Sequence, residues 1–128
     1  MKTISRSFKN IEQQELEDVL VARFKEIGFG VLHQIDFRET LINKIQKDIG
    51  PYKQLQICNP HLAYEAISLE PTIGIQLPCN LLIRKVEDGF AVDIQSPFDS
   101  IPVNAPLELK QMAGDLTDKI KALLEEIA

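Results

Sequence analysis

Two β-rich segments joined by a turn signal constrain the fold of this chain more than any other feature. The first segment is "TIGIQLPCNLLIRKV" (72–86) and the second is "FAVDIQ" (90–95). The residues between them, Glu87-Asp88-Gly89, are typical of a β-hairpin in which Gly89 supplies a positive φ. Pro78 cannot donate a hydrogen bond within a sheet, so it marks an edge, a bulge or a break in the first segment. The chain is therefore expected to contain an antiparallel strand pair.

The rest of the chain alternates between strand and helix patterns. Further strands are predicted at 3–9, 29–37 and 52–58, and helices at 11–27, 37–49 and 60–69. Asn104 and Pro106 open a last helix, whose apolar stripe is predicted to belong to the core and consists of Leu109, Met112, Ala113, Leu116, Ile120, Leu123 and Ile127. Asn10, the D-x-x-E box of Asp36 and Glu39, and Asn59 are the predicted N-caps, and Gly28 is the predicted helix stop. The order is β-α-β-α-β-(short α)-β-β-α. One-sided strands favour an α+β fold, with an antiparallel or mixed sheet and helices packed on one face.

The spacing of apolar residues predicts which side chains are buried. Leu16, Leu20 and Phe24 form one helical stripe, and a second stripe consists of Leu41, Ile42, Ile45 and Ile49. His33 lies on the apolar side of its strand, where a hydrogen-bonded, half-buried histidine is the simplest interpretation and a catalytic base is the alternative. The open face of the sheet is predicted to carry Thr3, Ser5, Ser7, Gln34, Asp93 and Gln95.

Size and charge restrict the possible functions. A chain of 128 residues suits one domain, here residues 1–128. The net charge of −5, with acidic and basic residues interspersed, disfavours nucleic-acid binding. The first ten residues lack the apolar core of a secretory signal, and no apolar run is long enough to span a membrane. Together with two cysteines, this predicts a cytoplasmic protein with free thiols.

A repeated Cys-Asn pair is the strongest candidate for a functional site. The pair occurs in Cys58-Asn59-Pro60-His61 and again in Pro78-Cys79-Asn80. Asn59 and Pro60 suit the start of a helix, but this does not account for the cysteines. Asn80 lies within an apolar strand and is predicted to be buried, with its amide bonded to the loop that contains Asn59. The pattern predicts a shared ligand-binding pocket at Cys58, Asn59, Cys79, Asn80 and His61.

Three alternatives remain open for these residues. The cysteines could form a thiol-dependent redox pair, in which the helix that begins after Asn59 favours a thiolate. They could bind a metal with His61 and the distant His33, although structural zinc needs four ligands and only one tight Cys-x2-His pair is present. They could also be two small buried residues, because free cysteine is among the most buried residue types. No nucleophile or phosphate-binding motif is found, so no catalytic residue, metal ligand or cofactor is assigned.

Several of the quoted segments resemble one known family. "GFGVLHQID" and "YKQLQICNPHLAYEAISLEPTIGIQLPCNLLI", with the hairpin that follows, are similar to the family called domain of unknown function 302. The motif residues are Gly28, Gly30, Cys58, Asn59, Pro60, Pro78, Cys79 and Asn80. The resemblance implies an α+β fold of the TATA-binding-protein-like class, and it implies homodimers. It implies no activity, and a fold label does not establish one. His33 departs from the family pattern, in which a smaller polar residue such as threonine is expected.

The sequence thus favours a cytoplasmic, homodimeric module that binds a small molecule or a protein partner near the Cys-Asn pairs. A thiol-dependent redox or metal-binding protein is the second interpretation, and an interaction module without a ligand is the third. The sequence does not decide whether the protein is an enzyme.

Overall fold

The computed structural model describes residues 2–127, so Met1 and Ala128, the two ends of the predicted domain, lie outside it. Its elements are β1 (Thr3–Lys9), α1 (Gln13–Glu26), β2 (Gly30–Asp36), α2 (Phe37–Ile45), β3 (Tyr52–Cys58), α3 (Pro60–Leu69), β4 (Cys79–Val86), β5 (Gly89–Gln95) and α4 (Leu107–Ile127). Short 3-10 helices at Pro71–Gln76 and Phe98–Ser100 precede β4 and α4. The predicted order of strands and α-helices is confirmed.

The five strands form one sheet in the order β1-β5-β4-β3-β2, and every neighbouring pair is antiparallel. The predicted hairpin is present, since Val86 pairs with Gly89 across the Glu87-Asp88 loop. The positive φ, however, belongs to Asp88 (φ 64) rather than to Gly89. The α+β class is confirmed, and the role assigned to Gly89 is wrong.

One face of the sheet packs against α1 and α4 to form the core. The α1 stripe of Leu16, Leu20 and Phe24 is buried as predicted, and α4 contributes Ile120, Leu123 and Leu124. Each fully buried side chain of this kind contributes roughly 1.5–3 kcal/mol. None of the helices within residues 2–127 combines the length and the apolarity needed to cross a bilayer.

The helix termini agree with the sequence at three of four predicted positions. Asp36 caps α2, because its Oδ1 accepts a hydrogen bond from the Glu39 amide at 3.0 Å. Gly28 follows α1 with φ 92, and its amide donates to the Lys25 carbonyl, as in a Schellman motif. Asn59 caps α3. Asn10 does not cap α1, whose N-cap is Glu12. Asn10 instead has φ 55 and donates its amide to the Asp88 carbonyl beside the hairpin loop.

An irregularity in β2 changes which residues face the core. Val31 pairs with Ile57 and His33 pairs with Gln56, so Leu32 is an extra residue between them, as in a β-bulge. A one-residue shift moves the following side chains to the opposite face. His33 is therefore exposed on the open face, and Gln34 pairs with Leu55 on the helix-covered side. The predictions for His33 and Gln34 are wrong, whereas Thr3, Ser5, Ser7, Asp93 and Gln95 lie on the open face as predicted.

Two other apolar segments also differ from prediction. Helix α2 ends at Ile45, and none of its residues is buried. Ile42, Ile45 and Ile49 are 40–56% exposed, so the second stripe faces solvent rather than the core. Residues 71–76 form a 3-10 helix instead of the start of the strand, which begins only at Cys79, directly after Pro78. Pro78 thus marks the break that the sequence predicted.

Candidate functional site

A cavity of ≈ 160 Å³ lies at the end of the sheet where β3 and β5 finish and β4 begins. Helix α3, the 71–76 segment and α4 surround it, and their buried side chains form a second, smaller apolar cluster. Ala66, Ile73 and Leu109 belong to both the cluster and the cavity wall. Phe29 and Ile57 of the main core also line the cavity, so residues of both clusters border it.

The structure brings both Cys-Asn motifs to this cavity. Cys58, Asn59, Cys79 and Asn80 all border it. The reason is topological, because β3 and β4 are antiparallel neighbours, so the end of one adjoins the start of the other. That these residues bind a ligand remains a prediction.

The two cysteines are not cross-strand partners. Cys79 pairs with Ile57 on the helix-covered face, whereas Cys58 is one position further along β3 and pairs with Gly30. Strand alternation would direct these two side chains to opposite faces. Both thiols are free, and both residues line the cavity.

The side chain of Asn59 connects the start of α3 to the end of α1. Its Oδ1 accepts from the Leu62 amide at 3.2 Å, which caps α3, and its Nδ2 donates to the Ile27 carbonyl at 3.1 Å, at the end of α1. A Cβ on Gly28 would lie 2.6 Å from Nδ2, so glycine provides the space for this contact. The side-chain amide that joins the start of a helix to a distant segment of the chain is thus that of Asn59, and not that of Asn80 as predicted.

Asn80 does not have the structural role that the sequence predicted. Its side chain is exposed, at the solvent end of the cavity, and not buried. The β4–β5 register pairs Leu81 with Ile94. The next residues along the two strands, Asn80 near the start of β4 and Gln95 at the end of β5, are therefore neighbours. Asn80 and Gln95 lie on the open-face side of their strands, and together with exposed Gln76 they place three residues with carboxamide side chains at the border of the cavity.

The histidines do not join the cysteines. His61 is exposed on the first turn of α3 and does not line the cavity, so the structure does not bring it to the other four predicted residues. His33 lies on β2, outside the cavity wall. Within residues 2–127, no cluster of three or more His, Cys, Asp or Glu side chains has the geometry of a metal site.

Burial raises the pKa of the Cys79 thiol from 9.0 to about 11, and the neighbouring Cys58 adds to this effect. A thiol with such a pKa is protonated at neutral pH and is a poor nucleophile. At Cys79, therefore, burial disfavours the thiolate that a redox pair would need.

This pKa shift predicts a loss of stability in alkali. Below pH 9 the thiol is protonated in both the folded and the unfolded chain, so its contribution to stability is fully present. Between pH 9 and 11 the unfolded chain loses the proton first, and the free energy of unfolding falls by about 2–3 kcal/mol. Urea denaturation should show this loss in the parent and in Cys58→Ala, but not in Cys79→Ala. Equal losses in all three proteins would contradict the assignment to Cys79.

Sequence reasoning missed most of the cavity wall. Helix α4 contributes Leu109, Met112, Ala113 and Leu116, and the 71–76 segment contributes Ile73 and Ile75. These residues were assigned to a helix stripe in the core or to a strand. The isolated Met112 in that stripe is a weak signal at best, because methionine fills irregular gaps in cores and in binding sites alike.

On the open face of the sheet, Asp93 belongs to a separate network. It accepts hydrogen bonds from Ser5 Oγ at 2.6 Å and from Arg84 Nε at 2.7 Å. Burial acts to raise the pKa of Asp93, but the bonds from Arg84 and Ser5 outweigh it and hold that pKa below its usual value. Asp93 therefore stabilises the β1–β5–β4 region and does not line the cavity.

Comparisons with known proteins agree on one family and one fold. The model of the family described as "Domain of unknown function DUF302" matches residues 4–127. The chain is similar in structure to an uncharacterized conserved DUF302 protein from Bacillus stearothermophilus, with a TM-score of 0.86, 24% identity, and coverage of 96% of this chain and 95% of that one. At this identity the likeness shows the fold alone. No curated protein sequence matches.

Proposed function

Because this chain belongs to the family described as domain of unknown function DUF302, whose name assigns no activity, we propose a function from its cavity. The protein binds a small molecule in the cavity between the sheet end, α3 and α4. The observation that carries the proposal is a cavity of ≈ 160 Å³ bordered by both Cys-Asn motifs. The cavity opens to solvent beside exposed Ile75, so a small molecule can enter it without unfolding the surrounding helices. Ligand-binding sites generally have mostly apolar walls and a few polar groups that orient the ligand.

The thiol-dependent alternative has weaker support. Redox exchange and metal binding both use the thiolate, and the raised pKa of Cys79 opposes its formation. The predicted metal partners His61 and His33 both lie outside the cavity wall. Non-covalent binding requires neither a thiolate nor a histidine.

Filling the cavity should abolish binding. Ala113 is 6% exposed and faces the cavity from α4, so Ala113→Leu places three additional carbon atoms there. Four one-ring probes cover the main charge types at pH 7: toluene, benzyl alcohol, benzoate and benzylamine. We expect at least one of them to raise the melting temperature of the parent but not that of Ala113→Leu.

The matched control is Ala122→Leu, an exposed position on the same helix. It should retain the ligand-induced shift, because it adds the same side chain away from the cavity. The proposal fails if none of the four probes stabilises the parent. It also fails if Ala113→Leu responds as strongly as Ala122→Leu.

We propose further that two copies of the chain associate through the α2 side of the molecule. Three observations support this surface. Ile42, Ile45 and Ile49 are exposed, Leu32 is 56% exposed, and β2 is an edge strand whose outer backbone groups have no partner strand within residues 2–127. Exposed apolar groups next to an open sheet edge favour association with another chain.

A charge on this surface should separate the two copies. We expect sedimentation velocity to show a dimer for the parent and a monomer for Ile45→Glu, because a buried carboxylate without a partner opposes association. Val21→Glu is the control, since Val21 is an exposed apolar residue on α1. A monomeric parent, or a dimeric Ile45→Glu, would rule out this interface.

A further inference from the structure

The size of the cavity restricts the apolar part of a ligand. A cavity of about 150 Å³ lined by Leu, Ile and Phe in another protein holds one benzene molecule. The volume here is ≈ 160 Å³, and the inner wall is formed by buried apolar residues such as Phe29, Ile57 and Leu109. The space suits a single six-membered ring or a branched chain of similar volume.

The wall also restricts the charge of a ligand. Among the described residues that line the cavity, there is no Lys, Arg, His, Asp or Glu. Every buried side-chain nitrogen or oxygen within residues 2–127 already has a hydrogen-bond partner. An ion in this space would lose its hydration without gaining a counter-charge, which is strongly unfavourable. The protonated thiol of Cys79 adds no charge.

The opening of the cavity differs from its interior. Ile75 is 85% exposed there, and three exposed residues with carboxamide side chains, Gln76, Asn80 and Gln95, also border the cavity. A carboxamide both donates and accepts hydrogen bonds, so this rim can bind a hydroxyl, a carbonyl or an amide of a ligand without requiring a charge. The polar groups are therefore at one end of the site and the apolar wall is at the other.

We infer that the ligand is a neutral molecule with a one-ring apolar body, which fills the cavity, and one uncharged polar group, which binds the carboxamides of the rim. This inference rests on the proposed function, because it names the class of ligand for the same cavity. It assigns Asn80 and Gln95 to ligand recognition, and it accounts for an asparagine that neither caps a helix nor is buried.

The test compares the affinities of the same four probes by NMR titration at pH 7. Toluene and benzyl alcohol should bind at least roughly tenfold more tightly than benzoate and benzylamine, because only the charged probes lose ionic hydration. Benzyl alcohol should bind more weakly, by roughly fivefold, to the double variant Asn80→Leu/Gln95→Leu, which corresponds to one lost hydrogen bond. Toluene should bind equally well to the parent and to this variant, within about twofold.

Gln34→Leu provides the control, since Gln34 is an exposed amide on β2 outside the cavity wall. It should leave the affinity for both neutral probes unchanged. Binding of benzoate or benzylamine as tightly as benzyl alcohol would overturn the neutral-ligand inference and leave the proposed function intact. Equal affinity of benzyl alcohol for the parent and the double variant would overturn the role of the rim. Absence of binding by all four probes would overturn the proposed function itself.

Discussion

Gly89→Ala is expected to lower the free energy of unfolding by about 3 kcal/mol or more. A Cβ at this position would collide with the carbonyl oxygen of Phe8 and lie 2.9 Å from its carbonyl carbon and 3.0 Å from the Cα of Lys9. All three atoms belong to the backbone of β1, so no side-chain rotation can relieve the overlap. Because Lys9 pairs with Gly89 and Phe8 with Phe90, β1 would have to move away from β5 at its C-terminal end.

Urea denaturation of the parent and the variant measures this effect by linear extrapolation. Gly30→Ala is the matched control, since Gly30 is also a strand glycine and a Cβ there meets nothing within 4 Å. Its stability should stay within about 0.5 kcal/mol of the parent or rise slightly. If Gly89→Ala proves as stable as Gly30→Ala, the close approach of β1 is not what requires glycine.

Lys53→Met is expected to destabilise the protein by about 3 kcal/mol or more. Lys53 Nζ lies 2.6 Å from Glu17 Oε1, and the two side chains are only 17% and 10% exposed. This ion pair joins β3 to α1 beneath the helix layer. Removal of the lysine leaves a carboxylate in a largely buried position without its cation, and this uncompensated charge is the main cost.

Two further variants separate the free-energy cost of an unpaired Glu17 carboxylate from the contribution that the Lys53–Glu17 ion pair makes to stability. The double variant Glu17→Leu/Lys53→Met should recover most of the lost stability, because no buried charge remains. Arg38→Met removes one partner of the exposed Arg38–Asp48 pair and should cost much less than Lys53→Met, because exposed ion pairs contribute little to stability. A Lys53→Met protein as stable as Arg38→Met would contradict the buried-pair interpretation.

The elements that were predicted correctly depend on residues close together in the chain. The stripe of Leu16, Leu20 and Phe24 spans a few helical turns, and the caps at Asp36 and Asn59 bond to amides three residues away. Such signals are visible in the sequence because local geometry alone produces them. For the same reason the antiparallel hairpin of β4 and β5 could be predicted from its loop.

The predictions that failed depend on residues distant in the chain. Leu32 is an extra residue only relative to its partner strand, and the shift changes the face of His33 and Gln34. The exposure of Ile45 depends on which parts of the sheet the other helices cover. Gly89 was expected to provide a positive φ, but it is required by the backbone of β1, about eighty positions earlier in the chain. The burial predicted for Asn80 assumed that its strand is enclosed at that end.

The sequence by itself determined the order of the elements, the α+β class, the family and the occurrence of two Cys-Asn motifs at strand ends. Periodicity, capping and turn chemistry are local properties, so they can be read without knowing how the chain folds back on itself. Only the tertiary structure decided that Asn59 is a clamp while Asn80 lies on a rim, and that α4 and the 71–76 segment enclose the cavity. A cavity is the space between elements distant in sequence, so its volume, its uncharged wall and its opening arise only when those elements pack together.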